Sequence, residues 1–144
     1  MYSDVRAVAN GIVLYAQAPV DSNNGYLGNM CGWPNGGGNT ICMVVAVNDR
    51  LYAITYAHLS NEIYVTNGQQ IGQSTIIAKS GNSGNSTGPH THVEVFELKQ
   101  SLNDIVDYFI NSGADFSFGC GFSEAATCSN YACRIDPQSV LEGV

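Results

Sequence analysis

The chain carries three histidines, and two of them stand one residue apart in His90-Thr91-His92. The run that follows, Val93-Glu94-Val95-Phe96, has strand composition. Side chains alternate across a strand, so His90, His92 and Glu94 are expected on one face. Two imidazoles on one face make half of a metal site, because neutral ring nitrogens are zinc donors. The same rings, titrating near neutrality, can also take and return protons. The preceding Gly81-Asn82-Ser83-Gly84-Asn85-Ser86-Thr87-Gly88-Pro89 segment is rich in residues that tolerate positive φ, which lets backbone come close to the pair. An isolated His-x-His also arises with no chemistry attached. His58, in Tyr56-Ala57-His58-Leu59-Ser60, follows a strand and reads equally as a cap or surface residue.

Strands must position these groups. Val5 to Ala16 is read as two short strands meeting in a hairpin turn at Asn10-Gly11. Further strands are expected at Ile41 to Val47, Leu51 to Tyr56, Ile63 to Val65 and Val93 to Phe96, with Asn48-Asp49 as a two-residue link between the first two. Gly68 to Ile77 is a polar turn flanked by short strands. One helix follows: Ser101-x-x-Asp104 resembles a capping box, Leu102, Ile105, Val106 and Phe109 recur at helical spacing, and Asn111-Ser112-Gly113 is a stop. The fold class is mainly β, an antiparallel sheet with one C-terminal helix.

A length of 144 residues suits one domain, and 44% hydrophobic with 12% charged residues excludes a disordered chain. Five Lys+Arg against twelve Asp+Glu give a net charge of -7, too acidic for the phosphate contacts that nucleic-acid binding needs. Apolar runs of about five residues fall far short of the ~20 that span a bilayer, so membrane insertion is not expected. Met1-Tyr2-Ser3-Asp4 has neither a basic nor an apolar leader segment, which fits an intracellular protein or a piece of a longer exported one. The five cysteines favour export. Cys31 and Cys42 bracket a Gly/Asn-rich loop that a disulfide would staple, and two of Cys120, Cys128 and Cys133 are expected to pair. Their spacing lacks the Cys-x2-Cys knuckle of structural zinc. Trp33, inside the first loop, has little core to join and could form a groove wall that stacks on sugar rings.

Taken together, Gly81 to Val95, Tyr56-Ala57-His58-Leu59-Ser60 and Val5-Arg6-Ala7-Val8-Ala9-Asn10-Gly11-Ile12-Val13 resemble, in family order, three blocks of the M23 zinc metallopeptidases (lysostaphin and LytM-like). That family cuts peptide cross-links of bacterial peptidoglycan. The resemblance implies an M23-type core over residues 1–97, with residues 98–144 a helix and Cys-containing extension of the same domain. Within that extension, Ala132-Cys133-Arg134-Ile135-Asp136-Pro137 looks like a segment closing some relatives. It also implies zinc as cofactor, His92 as a zinc ligand, His58 and His90 as the catalytic pair handling the attacking water and the oxyanion, peptidoglycan as partner, and a secreted protein acting at the cell wall.

The chain departs from the pattern in one place. The family's other two ligands, a His and an Asp, lie upstream of the block matched by Val5-Arg6-Ala7-Val8, where this sequence has only Met1-Tyr2-Ser3-Asp4. Asp4 abuts the strand and does not take a ligand role. Three explanations are open: a truncated form of an active enzyme, a degenerate M23 domain that binds wall or activates a partner hydrolase, or a metal held by three His. A wall-binding module without chemistry, using Trp33 and the tyrosines, is the alternative of a different class.

Overall fold

The computed structural model describes residues 1–21, 37–112 and 130–144. Its strands are β1 (Asp4–Arg6), β2 (Gly11–Gln17), β3 (Asn39–Val47), β4 (Arg50–Ile63), β5 (Gln70–Ile71), β6 (Ile76–Ser80), β7 (His92–Leu98) and β8 (Ala132–Ile135). Its helices are α1 (Leu102–Ser112) and α2 (Pro137–Leu141). Every strand pairing is antiparallel.

The fold is organised by β4. On one edge it pairs with β3 from Arg50 to Leu59. On the other, Tyr52 to Ala57 pair with β7, and Leu59 and Ile63 pair with β6. The strand therefore forks at His58, where its edge passes from β7 to β6, and the Gly81–Pro89 segment bridges the gap between those two strands. Asn48 and Asp49 close the β3–β4 hairpin with φ of 51° and 64°, the paired positive φ of a type I′ turn. The two-residue link read from the sequence forms as expected.

Both faces of the sheet are covered, which explains the unbroken apolar run Ile41–Val47. Ile41, Met43, Val45, Ile54, Tyr56, Leu59, Ile77 and Val95 fill one core. Cys42, Val44, Ala53, Phe96 and Leu98 fill the other beneath Ile105 of α1. Ser101 caps α1, its Oγ accepting from the Asp104 N–H at 3.2 Å. The single C-terminal helix read from the sequence is α1; the five-residue α2 is added to it, begun by Asp136, whose side chain accepts from the Gln138 N–H, and by Pro137 at its first turn.

Four expectations are corrected. The first two strands do not form a hairpin: β1 crosses to β6, opposing Asp4 to Lys79 and Val5 to Ala78, because Ala7 bonds to Thr75 and Ser74 rather than to β2. Ile63 is the end of a 14-residue strand and not a separate one. The tail contributes β8, which extends the sheet beside β7. Cys42 carries a thiol buried in the second core, so the expected link to Cys31 is not made; a side chain facing α1 cannot also staple a loop. Cys133 is disulfide-bonded. Cys31, Trp33, Cys120 and Cys128 lie outside the described residues.

Candidate functional site

The three histidines meet at the fork in β4. The β3–β4 register advances two residues on β3, from Asn39 to Ile41, while β4 moves three, from Leu59 to Tyr56, so β4 carries one extra residue. His58 has φ of 59°, the left-handed conformation found in such bulges. Strict alternation would send His58 to the side opposite Ala57, which pairs with His92. The bulge re-aims it, and the His58 ring lies 4.8 Å from that of His90 and 5.9 Å from that of His92. His90 sits just before β7, held by an antiparallel bridge to Gly81. His92 and Glu94 share a face of β7, as alternation predicts.

Hydrogen bonds decide which nitrogen of each ring carries the lone pair. His58 is 1% exposed, and its Nδ1 lies 2.8 Å from the Ser83 carbonyl. A carbonyl only accepts, so Nδ1 holds the proton and Nε2 is the base. Burial pushes the His58 pKa below the usual imidazole value, against the opposing pull of the Ser83 carbonyl. The ring is thus a neutral base at pH 7. His90 repeats the arrangement with Nδ1 2.7 Å from the Gly88 carbonyl. His92 is reversed: Nε2 lies 3.0 Å from Glu94 Oε1, so as a neutral ring it donates there and keeps its lone pair on Nδ1.

Ser83 anchors this geometry. Its Oγ donates to the Leu59 carbonyl and accepts from the Asn39 N–H, tying the loop to both strands beside the bulge. The Asn39 side chain in turn bonds both the N–H and the carbonyl of Val20. Gly38, at φ of 73°, passes so close to Ser83 and Gly84 that a Cβ there would collide with them. The sequence marked the loop as Gly-rich but gave no sign that Ser83 or Gly88 would set tautomers, since that depends on backbone carbonyls.

The left-handed backbone at His58 is costly for any residue with a Cβ, by about 1–2 kcal/mol. Replacing His58 removes the ring contacts in either variant, but only glycine relieves the backbone. His58→Gly is therefore expected to be about 1 kcal/mol more stable than His58→Ala in urea denaturation. Equal stabilities would place the strain elsewhere.

The zinc expected from the resemblance meets an incomplete set of donors. Among the described residues, no group of three or more His, Cys, Asp and Glu side chains is placed to hold a metal ion. The three-His arrangement is not supported, since His58, His90 and His92 do not make such a group, although each ring keeps one nitrogen lone pair. The described residues by themselves do not fit a catalytic zinc, which takes three protein ligands.

Comparison with known proteins gives the family of the chain. The sequence matches Peptidase family M23 over residues 1–104. The chain is 38% identical over 60 residues to the peptidoglycan DD-endopeptidase ShyA of Vibrio cholerae, a match covering 42% of this chain and 14% of that protein. Its fold is similar to the catalytic domain of the antimicrobial peptidase lysostaphin from Staphylococcus simulans, with a TM-score of 0.53, 30% identity and coverage of 70% of this chain and 63% of that one. The solution structure of lysostaphin gives a TM-score of 0.50 at 25% identity, over 72% of this chain and 35% of that one. The chain thus spans less than two thirds of these relatives. With the family matched across most of its length and a fold to agree, the chain belongs to peptidase family M23.

Proposed function

We propose that this chain is an M23-type endopeptidase domain that hydrolyses peptide cross-links of bacterial peptidoglycan, outside the cell that makes it. The observation carrying this reading is the convergence of His58, His90 and His92 at one fork of the sheet, with each tautomer held by a defined acceptor. His58 and His90 offer Nε2 as bases that take a proton from water and return it to the leaving amine. His92 is the family's zinc ligand, and the described residues do not complete the ligand set. Trp33, in the segment between β2 and β3, is a weaker candidate for contact with substrate. Residues 1–97 form the peptidase core, and residues 98–144 extend the same domain, a reading supported by the pairing of β8 with β7.

A second reading, a non-catalytic M23 domain that binds wall or activates a partner hydrolase, draws on the incomplete donor set. Digestion of purified peptidoglycan by the purified protein separates the two. New peptide amino termini, found by mass spectrometry and abolished by a chelator, support hydrolysis. Binding to sacculi without cleavage supports the second reading.

A further inference from the structure

Arg134 lies on β8, beyond the residues that match the family, and the motifs read from the sequence gave it no part in the chemistry. It stands opposite Phe96 in the β7–β8 register, and Glu94, two residues from Phe96, shares its face. A long side chain at Arg134 reaches that diagonal neighbour. Its Nη1 is 3.6 Å from Glu94 Oε1, the same oxygen that accepts from His92 Nε2 at 3.0 Å. The Glu94 side chain is only 9% exposed, and a buried carboxyl group is costly unless a cation or hydrogen bonds compensate it. Thr55, opposite Glu94 on β4, does not supply this, since its buried Oγ1 has no hydrogen-bond partner. The chain has five Lys+Arg, and this one is spent on a buried carboxylate in the site.

We infer that Arg134 is a positioning residue: its guanidinium, beside Glu94 Oε1, holds that oxygen where it accepts from His92 Nε2, and so fixes the His92 ring with Nε2–H donating and the lone pair on Nδ1. The C-terminal extension thereby becomes part of the site. The functional meaning of this relay rests on the proposal that His92 works in an M23 site, but its existence does not.

The test is the exchange of the His92 Nε2–H proton with water, followed by NMR on the full 144-residue chain at a pH where the rings are neutral. The His58 Nδ1–H proton, bonded to Ser83, serves as internal control. In the wild type the His92 proton should be protected. Arg134→Met should speed its exchange by ~10-fold or more, the worth of one hydrogen bond to a charged group, while the His58 proton keeps its rate. Arg134→Lys should recover part of the protection. Should Arg134→Met fail to fold, Arg134→Gln and the wild type carry the test. Equal protection without the guanidinium overturns the inference, as does a wild-type His92 protonated on Nδ1. Neither zinc nor substrate enters the measurement, so a chain that never cleaves peptidoglycan still decides it, and a failed relay leaves the hydrolase reading to its own test.

Discussion

Zinc is expected to bind the 144-residue chain at least ~100-fold more weakly than it binds a complete M23 site. The reason is the donor set. His92 offers one lone pair, and the described residues include no group of three donors around it. A cation held by one protein ligand keeps water in its other positions and exchanges readily. Competition with a chromogenic chelator gives the affinity. Stoichiometric zinc surviving dialysis against a chelator would show that donors reach the site from residues 22–36 or 113–129, or from a second chain.

The second large effect concerns His58 and His90, the two histidines proposed to transfer protons. In zinc-loaded protein, His58→Ala and His90→Ala should each lower turnover by a factor of ~10²–10⁴, the usual worth of a positioned acid or base. His58 should show the larger fall, because burial lowers its pKa and keeps it neutral. His58→Gly, the better-folded variant, shows whether loss of the ring rather than of stability is responsible. Both variants should be equally inactive in a peptide-release assay. Substantial turnover by either would assign the base elsewhere.

Much of this arrangement was legible in the sequence. The shared face of His92 and Glu94 follows from alternation alone, and α1 from Leu102, Ile105 and Val106 over a Ser101 cap. The turn at Asn48-Asp49 was readable because those residue types tolerate positive φ. What escaped was decided by long-range pairing. The Val5–Ala16 run has the pattern of a hairpin, but β1 finds its partner in β6, some seventy residues away, through Asp4 opposite Lys79. The aim of His58 depends on one extra residue in β4, and a bulge leaves no mark on an apolar pattern that is buried on both faces. Arg134 enters the site only because β8 docks beside β7. The staple expected at Cys42 failed for the opposite reason: a loop-flanking cysteine was weighed as a loop residue, whereas its place in β3 turns it into the core.

The division of labour among the three histidines is the central claim, and the zinc content of three purified variants tests it most directly. After metal loading and dialysis without chelator, elemental analysis should find zinc retained in His58→Ala and His90→Ala, whose rings face backbone carbonyls with Nδ1 and are proposed to act as bases through Nε2. His92→Ala should come out zinc-free. Should His58→Ala lose its zinc as completely as His92→Ala, His58 would be a ligand, and the assignment of one metal-binding and two proton-transfer residues would be contradicted.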